Sequence, residues 1–316
     1  MSTRGRLVTG LLLVAALPTA APKPLTQAEA CEGRDPVPRS WADSTTGATA
    51  SPLWPSEQHY SFTRVLDGPK LAICSLPGCG STSFRHFVNV LSNLTSTDER
   101  CLTVFRRGFA EKTLNAHLSM EKAPQVQPGC MRGLEGMSLE EVRVIACSGE
   151  WRRLAVVRNP FARVYSKFRE KIVMKHEKRP PWREGDDRNF STFVGRLAMA
   201  ALEPAHLGLG EEAFVDDHWR RGVAFCGLRH IPYTILRDEE LGAAMHGLAE
   251  SLGLEGHPAV REVLARVRPH DYAGEAARLA EAYTQREVEL VRLYYSEDFR
   301  AFGYPAEFPP RAPLAR

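Results

Sequence analysis

The sequence predicts an α/β protein in which a central parallel sheet is flanked by helices within a single domain. Two stretches carry that expectation. Leu71 to Leu94 reads LAICSLP, GCGSTS, FRHFVNVLSNL, a short apolar run, a glycine-rich turn and an amphipathic segment. Arg152 to Lys175 repeats the sequence of events with an apolar run, an Asn-Pro break and a second amphipathic segment. Composition agrees: 316 residues, 43% hydrophobic and 25% charged, are ordinary globular material. A net charge of +3 gives no basis for a nucleic-acid partner, so anion binding has to come from local clustering of the 41 Lys and Arg residues.

The chain opens with Arg4 and Arg6 before LVTGLLLVAALPTAA, an apolar run shorter than the ~20 residues of a membrane span and followed by small residues. Residues 1–22 are therefore expected to be a secretory signal, either cleaved or kept as a short anchor. Residues 23–59, rich in Pro, Ser, Thr, Ala and Gly, cannot bury a core and are read as a stem. The folded domain is expected over 60–305, with 306–316 as a tail.

In the first unit, LAICS has the unbroken hydrophobicity of a central strand, and Phe84, Phe87, Val88 and Leu91 share one helical face. Between them, Gly78 and Gly80 permit a sharp turn and a close backbone approach. Ser81, Thr82 and Ser83 add hydroxyls beside the unpaired N–H groups of a helix start. Such a loop can cradle a phosphate, although a capped βα turn with no ligand has the same ingredients.

From Thr95 to Gly149 the pattern weakens, and short helices with connections are expected. In the second unit Leu154 to Val157 form a strand, and Phe161, Val164, Tyr165, Phe168 and Ile172 recur at helical spacing. Arg158 leaves the strand at the end where parallel sheets bind ligands, with Arg163, Ser166 and Lys167 in the helix that follows. Eleven basic residues between Trp151 and Arg183 face only Glu170 and Glu177. The two units side by side predict a doubly wound sheet holding one extended anion between them. In the last third, stripes at Leu241, Ala244, Met245, Leu248 and Leu252, and at Val260, Val263, Leu264 and Val267, predict structural helices. Thr284 with Glu287 forms a capping box for a final helix through Tyr295.

Seven cysteines without a close CxxC pair predict a few disulfides and a free thiol in an oxidising compartment, with no metal site. Cys74, in a core strand, and Cys79, in the loop, are expected to be the unbridged ones. Asn93-Leu94-Thr95 and Asn189-Phe190-Ser191 are glycosylation acceptors.

LPGCGSTSFR, from Leu76 to Arg85, resembles the 5'-phosphosulfate loop of the Golgi carbohydrate sulfotransferases, and VVRNPFARVYSKFREK resembles their 3'-phosphate motif. DDHWRRGVAFCGLRHIPYTILRDEEL and LYYSEDFRAFGYP are similar to later blocks of that family. The resemblance implies a P-loop-like sulfotransferase fold, 3'-phosphoadenosine 5'-phosphosulfate (PAPS) as donor, a glycan hydroxyl as acceptor, and a type II topology at the Golgi membrane with a lumenal catalytic domain.

Residue by residue, the resemblance implies that Arg158 and Ser166 grip the 3'-phosphate and that Pro77, Gly78 and Gly80 to Ser83, with Arg85, hold the 5' end. A guanidinium suits bidentate contact with an oxyanion. Gly78 stands where the family has a lysine, so the charge for the leaving oxygen falls to Arg85 or another basic residue, or transfer is impaired. A lysine introduced at 78 restores that charge only if the backbone there has an ordinary φ. The general base is expected to be His117, ahead of His218. A P-loop NTPase is disfavoured because the Walker lysine is missing. A lumenal nucleotide- or glycan-binding protein without transfer is the reading from another class, motivated by Gly78.

Overall fold

The computed structural model describes residues 62–95, 133–134, 137–175, 189–207, 216–267 and 270–308. The segment before residue 62, with the signal, anchor and stem expectations, lies outside the described residues, and so does His117. No helix among the described residues is long and apolar enough to cross a membrane.

Strands β1 (Thr63–Leu66) and β2 (Leu71–Ser75) form a hairpin, and Ser81–Thr95 forms helix α1. Leu139–Cys147 is α2, followed by β3 (Arg152–Val157) and α3 (Pro160–Lys167). A π-helical turn continues α3 over Phe168–Met174. Phe190–Leu207 is α4, and Thr234–Arg237 is β4. Helices α5 (Leu241–Ser251), α6 (Pro258–Ala265), α7 (Tyr272–Ala282), α8 (Gln285–Tyr294) and α9 (Ser296–Ala301) are the last elements among the described residues.

Among the described residues the sheet has four strands in the order β1-β2-β3-β4. β1 pairs antiparallel with β2, while β2, β3 and β4 are parallel, with Cys74 beside Ala155 and Ala155 beside Ile235. The two strand-loop-helix units are thus neighbours, and their loops open at the same sheet edge. Helices cover the sheet through two separate apolar clusters. One gathers α1, α3 and the C-terminal helices around Ile73, Phe84, Phe87, Phe161 and Val156. The other packs Val142, Ile145 and Ala146 of α2, with Trp151, onto Val65 and Ala72. This is the α/β architecture, a mostly parallel sheet flanked by helices, that the sequence predicts.

Most apolar stripes bury as expected: Phe84, Phe87, Val88 and Leu91 face the core from α1, and Phe161, Val164, Phe168 and Ile172 do so from α3 and its π extension. The capping box forms, Thr284 N donating to Glu287 Oε2 over 2.7 Å. One expectation is overturned. Cys74 is not free: it is joined to Cys226, with Cα atoms 6.0 Å apart, across 152 residues of sequence. The turn carrying Cys226, at φ 55°, is brought onto β2 by tertiary packing that no local pattern announces. Cys79 is free and buried, as expected, and burial pushes its thiol up to about 12.

Candidate functional site

The loop between β2 and α1 is shaped by its two glycines. Gly78 has φ 88° and Gly80 has φ 51°, both in the left-handed region where a Cβ is penalised. Neighbouring side chains occupy that space as well. A Cβ at Gly80 would lie 2.2 Å from Asp238 Oδ1, and one at Gly78 would lie 2.9 Å from Lys167 Cε. The turn is closed by Cys79 N donating to Leu76 O at 3.2 Å, and α1 begins with Phe84 N donating to Gly80 O at 3.3 Å. Ser83 is exposed at the helix start.

Arg163, one turn into α3, anchors this loop. Its Nε donates to Pro77 O at 2.9 Å, Nη1 to Arg220 O at 2.7 Å and Nη2 to Asp217 O at 3.2 Å. The side chain is buried, so its charge is met by fixed carbonyls and by the field of the buried Asp298 carboxylate. Its role is to weld the glycine loop to α3 and to the segment before Gly222. The N-terminus of α3 is capped by Asn159, whose Oδ1 accepts from Phe161 N at 3.0 Å, and Pro160 sits at its first position.

Beside α3 lies a cleft of about 390 Å³. Arg158 from the end of β3 and Ser166 from α3 both line it, together with Arg169 and Glu170 of the π turn and Glu275 and Arg278 of α7. The π turn widens the helix where it borders the cleft, so side chains on both sides of the α-to-π junction reach the same space. Arg158 ion-pairs with Glu275 and lies 3.5 Å from Asp238 Oδ2, and its Nε is buried without a hydrogen bond. Burial works to lower Arg158, but Glu275 and Asp238 outweigh it and hold the guanidinium above its usual range. Burial raises Asp238 to about 6, against the pull of Arg158. Burial favours neutral Glu275, yet hydrogen bonds from His270, at 3.2 Å, and from Arg158 keep it below the usual carboxylate range.

The structure therefore brings Arg158 and Ser166 together on one cleft wall, next to the α3 helix that holds the Gly78–Gly80 loop. Arg85 does not line that cleft. Burial, and after it the charge of Arg64 on β1, hold its pKa below the usual guanidinium range. His218 Nδ1 is hydrogen-bonded to Asp216 Oδ1. Trp219 is fully buried and Tyr233 Oη donates to Cys226 O at 3.0 Å, so both serve the core.

Glu275, Arg278 and Asp238 had no signal in the sequence. Glu275 and Arg278 occupy a short helix with an unremarkable charge pattern, and Asp238 belongs to an acidic triplet that reads as a solvated turn. Around them the end of the chain closes in: Tyr304 Oη donates to Glu239 Oε2 at 2.6 Å, Asn159 N to Glu239 Oε1 at 3.0 Å, and Arg237 Nη2 to Gly303 O at 2.7 Å. The closing Phe-Gly-Tyr block is thus a brace for the strand ends. Among the described residues no group of His, Cys, Asp and Glu side chains is arranged to hold a metal ion.

Compared with protein families, the chain matches the Sulfotransferase family over residues 62–305. No curated protein and no solved structure matches it.

Proposed function

The chain belongs to the sulfotransferase family, whose reaction is sulfonate transfer, and from that premise we propose that it moves a sulfonate group from PAPS to a glycan hydroxyl in the Golgi lumen. The observation that carries the donor assignment is the shared cleft of Arg158 and Ser166 beside the glycine loop. Arg158 retains an unused buried donor, Nε, and its site carries Arg169 and Arg278 as further cations. A 3'-phosphate there competes with Glu275 for the guanidinium and receives the Ser166 hydroxyl as a second donor. The backbone N–H groups from Gly80 to Ser83, at the start of α1, hold the 5' end, with Arg85 on the same helix.

Chemically, the acceptor oxygen forms a bond to sulfur as the bond from sulfur to the donor's phosphate oxygen breaks. The electron pair stays on that oxygen, and His117 takes the acceptor's proton. His218, held by Asp216, is the weaker choice of base. The apolar N-terminal segment, the Cys74–Cys226 disulfide and the acceptor triplet at Asn189 support a lumenal location. Asn189 is exposed and uses only its Oδ1 to cap α4, at 2.8 Å from Ser191 N, which leaves the amide nitrogen for a glycan. The acceptor and a membrane anchor through residues 1–22 are part of the same proposal.

The test is a comparison of ligands. Arg158→Ala and Ser166→Ala weaken binding of adenosine 3',5'-bisphosphate by ~10- to 100-fold, the worth of one charge-assisted contact, and leave adenosine 5'-monophosphate nearly unaffected. Equal losses for both nucleotides, read by calorimetry, remove the assignment. Gly78 supports a second reading, a binding protein without transfer, in which the same binding pattern is seen but labelled donor gives no sulfated glycan.

A further inference from the structure

Breaking the bond between sulfur and the donor phosphate leaves an electron pair on the phosphate oxygen, and a fixed cation at that oxygen lowers the barrier. No side chain at position 78 can supply it. The space over Gly78 is instead filled by a cation from another element: Lys167 Cε and Cγ lie 2.9 Å and 3.1 Å from where a Cβ at 78 would sit. Lys167 is the last residue of α3, and its side chain is largely buried along the loop. Positions 78 and 167 are spatially exclusive, because a side chain at one displaces that of the other.

We infer that Lys167 reaches across Gly78 and supplies, from α3, the positive charge at the 5'-phosphate and leaving oxygen of the donor. This rests on the sulfotransferase reading above. Lys167 is held in reserve by Glu170 of the π turn, which it contacts directly. Glu170 also binds Lys175 Nζ at 3.0 Å and lies 3.8 Å from Lys171 Nζ. Burial works to raise Glu170, but the bonds from Lys167 and Lys175 hold it down at about 2. With two other lysines on that carboxylate, Lys167 can turn to an incoming phosphate without leaving Glu170 unpaired. The exchange couples the loop to the cleft, since Glu170 also lines the wall shared by Arg158 and Ser166. Arg85, beside Arg64, has no such approach to Gly78 among the loop's neighbours.

The experiment uses the full chain made through the secretory pathway, with three nucleotides and transfer as readouts. Lys167→Met lowers affinity for adenosine 3',5'-bisphosphate by ~10-fold or more and leaves adenosine 3'-monophosphate, which lacks the 5'-phosphate, unchanged. With PAPS and an acceptor it lowers kcat by ~100-fold while KM for donor moves less, and Lys167→Arg recovers part of the loss. If Lys167→Met lowers the melting temperature by orphaning Glu170, the double variant with Glu170→Gln gives the same nucleotide comparison on a neutral background. Equal effects on both adenosine phosphates, or none on either, overturn the role of Lys167 while the family reaction stands. A parent protein that binds neither nucleotide overturns the donor reading itself and this inference with it.

Discussion

At Gly78 a single atom decides what the loop can be. The residue has φ 88°, and Lys167 occupies the volume of a side chain there. A lysine at 78 therefore does not restore a missing charge; it strains the turn and expels the cation already present. Gly78→Ala is expected to destabilise the fold by about 1 kcal/mol or more from backbone strain alone, and Gly78→Lys by more. Chemical denaturation with far-UV circular dichroism measures both. A Gly78→Lys protein as stable as its parent would mean that the turn relaxes to an ordinary φ.

Arg163 shows the same economy of position. In the sequence it is one basic residue in a run of eleven, yet it donates to three carbonyls and fixes the glycine loop. Composition cannot distinguish it from Arg169, which stays at the cleft with its guanidinium 6.0 Å from the Tyr165 ring. What separates the two is their place on α3 and its π extension, one buried against the glycine loop and the other exposed to solvent.

At the scale of elements, α3 and its π extension are the hinge of the site, carrying Arg163, Ser166, Lys167 and Glu170 from one continuous helix. The helix and its buried face were legible from the spacing of Phe161, Val164, Phe168 and Ile172. The change from α to π after Lys167 was not, because a one-residue shift in hydrogen bonding leaves the apolar spacing almost intact. Strand β2 is clamped to the turn after the 3₁₀ helix Gly222–Ala224 by Cys74–Cys226. Removing that clamp by Cys74→Ala with Cys226→Ala frees a loop of 152 residues in the unfolded chain, an entropic loss of about 4 to 5 kcal/mol. The double variant is expected to melt at a markedly lower temperature, and an unchanged thermal transition would show that the clamp adds nothing beyond packing.

At the scale of the whole molecule, buried carboxylates set the pH at which the fold is strongest. Burial raises Asp238 and Asp298 to about 6 in the folded chain from 3.8. Asp298 accepts from Gly222 N at 2.6 Å and Val223 N at 3.1 Å, which offsets only part of that penalty. Their stabilising share is full below 3.8 and is lost as pH rises through about 6. Glu170, lowered to about 2 from 4.5, acts the other way, its share being present above 4.5 and lost as pH falls through about 2. His270, raised by Glu275, and His230, lowered by burial and then Arg229, oppose each other. The melting temperature is therefore expected to peak in the acid range, near or just below pH 4.5, and to fall as the pH rises through about 6 toward 8. Asp238→Asn should flatten the alkaline side, and a scan that rises steadily from pH 5 to 8 would contradict it.

The sequence by itself determined the two strand-loop-helix units, the glycine loop and the candidacy of Arg158 and Ser166. These are short-range properties: hydrophobic runs, helical spacing and glycine at a turn act within a few residues, so they survive without knowledge of the rest of the chain. Tertiary structure alone decided that Glu275 of α7 holds Arg158, that Asp238 approaches Gly80, that Cys74 finds Cys226, and that Lys167 fills the space over Gly78. Each of these joins residues 89 to 158 positions apart, and contacts at such distances are set by how helices pack on the sheet. Local preference is the same for a lysine that faces solvent and one that crosses a loop, so only the fold can tell them apart.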